Sequence, residues 1–362
     1  MPATTTPARV VSELSDAQRA ALKVSYTVRA LRDRRPAAVL RGPDVRPRHG
    51  DVVAAAVTSV GRHTRLELAD GRRAHLFPGD LVLAAYAARY APDQFEAVPP
   101  ADLGPCHLVA AGGIAARVVS AHTAMTAPTC LRPLGLAVDG QGTPITMSAL
   151  AGPPAPRPLR PIPTLAVVGT AMNSGKTTAG AALVRGLSAA GRTVGAAKIT
   201  GTGAGGDRWL FTDSGAREVL DFTDAGLATT YRIPVERVLA AAVGLHRRLV
   251  VAGADAVVLE IADGVLQPET AALLARDELR SLVDGWVFAA GDAAGALFGR
   301  ERLRAAGLPV VAVSGRITAA PLAVREAGDR LDVPVHTPDD LADPAVAAAL
   351  LAGRATAAER SA

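Results

Sequence analysis

The chain has 362 residues, is 49% hydrophobic and only 3% aromatic, and carries a formal net charge of +5; this length allows two ordinary domains with substantial cores. No apolar run is long and charge-free enough to cross a bilayer, and "MPATTTPARVVSELSD" lacks a basic segment followed by an apolar one, so the expectation is a cytoplasmic protein with no membrane partner. The arginines are dispersed, without a basic block or interleaved aromatics, which argues against a nucleic-acid partner; the two cysteines, Cys106 and Cys130, are too few for a disulfide framework or metal knuckle and read as buried thiols.

In chain order, "SDAQRAALKVSYTVRALRDRR" offers Ser15 or Asp16 as an N-cap, then Ala17, Ala20 or Ala21, Val24, Val28 and Leu31 at helical spacing, which predicts one amphipathic helix. Between Asp51 and Ala84, alternating or β-branched runs flank an Asp70-Gly71 turn and predict a small antiparallel sheet or barrel. "CHLVAAGGIAARVVSAH", residues 106–122, reads as a strand, a Gly112-Gly113 turn and a helix. It is a weak echo of a dinucleotide site whose glycine spacing does not fit, so a plain glycine turn is the competing reading. Residues 151–163 hold six prolines in thirteen positions and predict an extended linker between an N-terminal α+β domain, 1–150, and a second domain, 164–352.

Beyond the linker the pattern changes. "TLAVV", "TVGAAKI", "DAVVLEI", "DGWVFAA", "LPVVAVS" and "VPVH" alternate with segments able to form helices, which predicts βαβ crossovers and a doubly wound parallel sheet. The first of these strands runs into "GTAMNSGKTT" and then a helix whose apolar face includes Ala181, Leu183, Val184 and Leu187. Such a loop lets backbone N–H groups converge on an anion at a helix N-terminus. Gly169, Thr170, Asn173, Ser174, Gly175, Lys176, Thr177 and Thr178 are therefore the predicted triphosphate-binding residues, with Lys176 on the β- and γ-phosphates and the Thr177 hydroxyl on Mg²⁺. Only Lys23, Lys176 and Lys198 are lysines, so two of the three fall in or near this site.

Five residues rather than four separate Gly169 from Gly175. That spacing resembles the GT-x-x-x-x-GKT loop of dethiobiotin synthetase and its relatives in the SIMIBI class of P-loop proteins. The branch includes cobyrinic acid amide synthases, the molybdopterin-guanine dinucleotide accessory protein MobB and nickel-insertion GTPases. Thr170 stands where Min-type ATPases carry a second lysine, which excludes that subgroup. The resemblance implies that Lys198, ending the second strand beside the first, faces the γ-phosphate and the group being phosphorylated; a solvent-exposed strand-end lysine is the alternative. In "GTGAGGDRWLFTD", Asp207, and less directly Asp213, are oxygen donors for Mg²⁺, Arg208 and Trp209 could clamp a substrate carboxylate, and the glycines suit a lid or anion contact. Glu260 ends a strand where a carboxylate can bind the nucleotide's Mg²⁺; the family's Glu-Gly-x-x-Gly becomes Glu260-Ile261-Ala262-Asp263-Gly264, which keeps the acid and loses the adjacent glycine.

Asn-Lys-x-Asp is absent, which favours adenine over guanine, and Ser314, Gly315 and Arg316 are candidate base contacts. Two functions are compatible with these residues. The first is an ATP-dependent kinase or ligase that activates a small carboxylate or carbamate, with Lys176, Lys198 and Asp207 catalytic and Thr177, Asp207 and Glu260 on the metal. The second is a MobB-like accessory or switch protein, which would use GTP. The family resemblance also implies a homodimer.

Overall fold

The computed structural model describes residues 9–156 and 161–353, so the centre of the proline-rich stretch lies outside the described residues. The flanking residues 151–156 and 161–163 form no helix or strand. The chain separates into two compact units: the first comprises the chain to Gly152 together with Thr202–Gly206 and Thr223–Arg232, and the second comprises the remainder.

Among the described residues the first unit is built on nine strands in one sheet, with most pairings antiparallel, together with a separate two-stranded pair. Five close on themselves: Thr129–Val138 pairs with Val52–Ser59, which pairs with Leu81–Tyr86, then Ile114–Ala121, then Cys106–Ala110, which returns to Thr129–Val138. Strand alternation divides Val52–Ser59 between two cores. Val53, Ala55 and Val57 join Val82, Tyr86, Cys106, Leu108, Ala115 and Leu131 in a cluster that draws on every strand of the ring and fills the barrel. Val52 and Ala54 face the opposite way and pack with Leu22, Val28, Leu31 and Ala228. The Asp70-Gly71 turn joins the two short strands Arg65–Glu67 and Arg73–His75.

Three expectations for this unit are corrected. Ser15 does cap a helix, in a capping box with Gln18, but the helix is only Asp16–Ala21, followed by the two-residue strand Lys23–Val24 and a 3₁₀ segment Tyr26–Leu31. Of the apolar residues at helical spacing, Val24 is recruited by the sheet, where Lys23 and Val24 pair with Val82 and Leu83, while Val28 and Leu31, on the 3₁₀ segment, pack in the apolar cluster outside the barrel. After Gly113, which has φ +100°, residues 114–121 form a strand rather than a helix, so the glycine pair makes a turn between antiparallel strands and no helix N-terminus stands there to hold a phosphate. Cys106 is buried in the barrel as expected, whereas Cys130 is half-buried.

The second unit is a doubly wound α/β domain. Its six strands are all parallel, in the order Glu218–Asp221, Val194–Lys198, Ala256–Glu260, Thr164–Gly169, Gly285–Ala289, Val310–Ser314. On one face the helix Lys176–Ala189 buries Ala179, Leu183, Val184 and Leu187 against Leu165, Val167 and Val258, with Leu341, Ala347 and Leu351 covering it from outside. The expected strand "VPVH" is reduced to a single bridge between Val313 and Val335; the sixth strand is "EVLD", four residues whose polar ends hide an apolar centre. The lysine-bearing strand lies one place further from Thr164–Gly169 than expected, because Ala256–Glu260 inserts between them. No helix among the described residues is long and apolar enough to cross a membrane.

Gly299, in the helix Ala293–Ala305, lies against the buried ring of Phe288, so closely that a Cβ would overlap it. In an exposed helix, replacing glycine by alanine gains up to ~1 kcal/mol. Here Gly299→Ala is expected to destabilise by about 1–3 kcal/mol, the usual cost of overpacking. Thermal denaturation checks it: the midpoint falls for Gly299→Ala and recovers when Phe288→Leu is added.

Candidate nucleotide site

Gly169 ends its strand and the Thr170 N–H donates to the Ala289 carbonyl at 3.0 Å, which fixes where the loop departs from the sheet. The loop then turns through Asn173 (φ +62°) and Gly175 (φ +97°) into the helix that starts at Lys176. Glycine is required by contact as well as by conformation. A Cβ on Gly169 would stand 2.5 Å from Ser174 Oγ, and one on Gly175 would stand 2.9 Å from Gly315 Cα. The Arg316 N–H donates to the Ser174 carbonyl at 2.9 Å, the Val265 N–H to the Gly169 carbonyl at 3.0 Å, and a Cβ on Gly264 would fall on the Thr170 carbonyl. Two neighbouring turns thus hold the loop's shape, and the first-turn N–H groups of the helix beneath it have no acceptor within the helix.

Lys176 is 5% exposed and folds back over the loop, its Nζ donating to the Ala171 carbonyl at 2.6 Å. Thr177 Oγ1 donates to Glu260 Oε1 at 3.1 Å. Lys198 stands in register with Glu260 on one side and Asp221 on the other, at the carboxyl ends of three adjacent strands. Its ammonium is ion-paired with Asp207, in the first turn of the helix Gly206–Asp213. Burial works against the charge on Lys198, but the Asp207, Glu260 and Asp263 carboxylates outweigh it and raise its pKa above the ordinary value. For Lys176 burial prevails over the attraction of Glu260 and Asp263, and its pKa falls. Glu260 is pushed up to about 7, first by burial and next by the charge of Asp207, with Lys198, Lys176 and the Thr177 hydroxyl opposing.

The second oxygen of Glu260, Oε2, is buried without a hydrogen-bond partner. A buried carboxylate oxygen left unpaired is costly. Set beside the Thr177 hydroxyl it suits a hard divalent cation, since Mg²⁺ is commonly held by one or two carboxylates together with the phosphates of its nucleotide. Among the described residues no group of three or more His, Cys, Asp or Glu is arranged to hold a metal unaided.

The fold therefore brings Gly169, Thr170, Asn173, Ser174, Gly175, Lys176, Thr177, Thr178, Lys198, Asp207 and Glu260 to one end of one sheet. Other predicted residues are placed elsewhere. Asp213 is exposed at the far end of the helix that Asp207 begins, ~9 Å further along its axis at 1.5 Å per residue. Arg208 and Trp209 are half-buried on that helix. Ser314 is fully buried, Gly315 holds φ +96°, and Arg316 braces the phosphate loop through its backbone while its side chain is exposed.

Two glycines of "GTGAGGD", Gly203 and Gly205, pack within the first unit, whereas Gly201 belongs to the second. The Gly203 N–H donates to the Ala228 carbonyl at 3.0 Å, the Gly205 N–H to Glu67 Oε2 at 2.9 Å, and a Cβ on Gly112 would fall on the Gly203 carbonyl. Asp263 is the residue of this site that sequence reasoning left without a role. It is 8% exposed and holds φ +63°. The visible signal was the acid–glycine pair Asp263-Gly264 three residues after a strand-end glutamate.

No family model matches the chain, and no curated protein matches it. Solved structures do. The signal recognition particle receptor FtsY from Elizabethkingia anophelis is 15% identical, over 52% of this chain and 66% of its own, with a TM-score of 0.35. The signal recognition particle 54 kDa protein from Aeropyrum pernix K1, in complex with GDP, is 19% identical over 56% of this chain and 50% of its own, with a TM-score of 0.34. A DUF1611 family protein from Anabaena variabilis is 15% identical over 55% of this chain and 58% of its own, with a TM-score of 0.36. In each case the chain spans less than two thirds of the neighbour's length. Its own all-parallel sheet, loop and helix make the second unit an α/β domain of P-loop type.

Proposed function

We propose that this protein binds a nucleoside triphosphate with Mg²⁺ and cleaves or transfers its γ-phosphoryl group. The observation that carries the reading is the junction of the phosphate loop with Thr177 and Glu260: a hydroxyl and an unsatisfied buried carboxylate side by side at a helix N-terminus. The loop N–H groups and Lys176 hold the β- and γ-phosphates, Thr177 and Glu260 hold the cation, and the cation supplies charge neutralisation at the phosphate oxygens. Lys198 serves the charge that develops on the γ-phosphoryl group in the transition state. To do so it leaves Asp207, which then becomes a hydrogen-bond acceptor for cation-bound water or for the incoming nucleophile.

The finer reading is that the acceptor is a small carboxylate or carbamate and the nucleotide ATP. A second reading, a nucleotide-controlled accessory protein, is favoured by one observation: Thr202–Gly206 and Thr223–Arg232, which directly follow the strand ends carrying Lys198 and Asp221, belong to the barrel unit. Phosphate release measured with ATP and GTP, alone and with small acids, separates the two. Release stimulated by an acid supports the enzyme, whereas tight GTP binding with slow, unstimulated release supports the switch.

Lys176→Ala is expected to abolish triphosphate binding with the fold intact, read by a fluorescent nucleotide titration alongside circular dichroism; wild-type affinity in that variant would remove the loop assignment. Lys198→Ala should leave affinity near wild type and lower turnover about 10²–10³-fold, the scale for loss of one transition-state donor; an unchanged rate would return Lys198 to a structural role. Glu260→Gln removes a charge that burial disfavours. It is expected to raise the melting temperature of the nucleotide-free protein while weakening Mg²⁺-dependent binding, and a lower melting temperature would contradict the strain assigned to Glu260.

A further inference from the structure

The turn after the glutamate strand, residues 260–265, is held from several sides. The Ile261 N–H donates to the Val167 carbonyl at 2.9 Å, and the Val265 N–H to the Gly169 carbonyl at 3.0 Å. The Ala262 carbonyl accepts from Thr200 Oγ1 at 3.1 Å and from Thr270 Oγ1 at 3.4 Å. Gly264 is pressed on Thr170 so closely that no side chain fits. Between these fixed points Asp263 adopts a left-handed backbone, φ +63°, and is nearly buried. A non-glycine residue held there stores strain that the surroundings must overcome, and such positions concentrate at ligand sites. Its negative charge acts on both Lys176 and Lys198, the two cations assigned to the γ-phosphate. The same turn therefore carries two carboxylates, three residues apart: Glu260, which has an unsatisfied oxygen, and Asp263, whose charge acts on the two lysines beside it.

We propose that Asp263 is an outer carboxylate of the nucleotide's cation site, in addition to Asp207: it accepts hydrogen bonds from water bound to the divalent ion that Thr177 and Glu260 would hold, and so positions that water beside the γ-phosphate. This rests on the triphosphate-binding reading above. Its chemistry is that of an outer ligand, where loss of the partner typically weakens metal affinity 10- to 100-fold. In the nucleotide-free protein the carboxylate offsets the lysine charges, and when phosphates take over the lysines it is released to serve the cation.

Two variants separate charge from backbone strain. Asparagine tolerates the left-handed region as aspartate does, so Asp263→Asn removes only the charge; glycine enters that region freely, so Asp263→Gly removes charge and strain together. The readout is Mn²⁺ affinity by electron paramagnetic resonance, with the full chain saturated with a non-hydrolysable triphosphate analogue, alongside analogue affinity in chelator. Expected for both variants is Mn²⁺ binding weakened 10- to 100-fold, with metal-free analogue affinity equal to or above wild type. Wild-type Mn²⁺ affinity in Asp263→Asn would overturn the proposal and leave Asp263 as a residue that only shapes the turn. Failure of the wild-type protein itself to bind the analogue with Mn²⁺ would overturn the function proposed above, and this assignment with it.

Discussion

Lys198 and Glu260 stand opposite one another at the ends of adjacent parallel strands, and the rest of the site is arranged around the cost of keeping these charges out of water. An isolated buried ion is costly, and pairing offsets that cost only when geometry is good and the remaining polar atoms are satisfied. Asp207 answers Lys198, and Thr177 answers one oxygen of Glu260. The other oxygen goes unanswered among the protein's own groups. This unsatisfied oxygen lies beside Thr177, in the first turn of the helix that follows the glycine loop.

The phosphate loop is correspondingly rigid. Its shape is enforced by the turn after Glu260 on one side and by the Gly315-Arg316 turn on the other, through backbone hydrogen bonds and through contacts that exclude any Cβ. The lysine is already folded over the loop, on the Ala171 carbonyl. Under the function proposed above, a triphosphate would exchange one acceptor for another at Lys176, and a loop already braced in this way would limit the entropic cost of binding.

The barrel unit has a different physical basis. It closes five strands on a core of small and medium side chains, Val53, Ala55, Val82, Leu108 and Leu131 among them, with Tyr86 as a bulky filler, which suits a narrow ring. Two segments that lie in the second half of the sequence are part of this unit's packing. Arg29, stacked over Tyr26, donates to Thr223 and ion-pairs with Asp224, and Ala228 joins the outer apolar cluster. Within the segment Thr202–Gly206, Gly203 accordingly allows close backbone packing on Gly112 and Ala228.

The sequence by itself determined whatever depends on neighbours along the chain. A β-branched run, a glycine loop and Gly175-Lys176-Thr177-Thr178 at a helix start mark the loop locally, because the N–H groups that would meet an anion are consecutive in the chain, although its shape is braced by the distant turns at Gly264 and Gly315. The alternation of buried runs with helical stretches likewise determined a parallel sheet. Tertiary structure decided the rest. Strand order is set by crossovers rather than by composition, so the insertion of Ala256–Glu260 beside Thr164–Gly169, and with it the pairing of Thr177 with Glu260 and of Lys198 with Asp207, was not legible. "EVLD" was too short and polar-ended to stand out, and "VPVH" lacked a partner beyond one bridge. At residues 23–24 and 114–121 the expected helix gave way to strand pairing, because a residue beside an open sheet edge gains ladder hydrogen bonds that its local pattern does not record. Asp263 was legible only as an acid before a glycine; its place is set by a left-handed turn fixed by Thr200 and Gly169, both remote in sequence, together with Thr270 seven residues on.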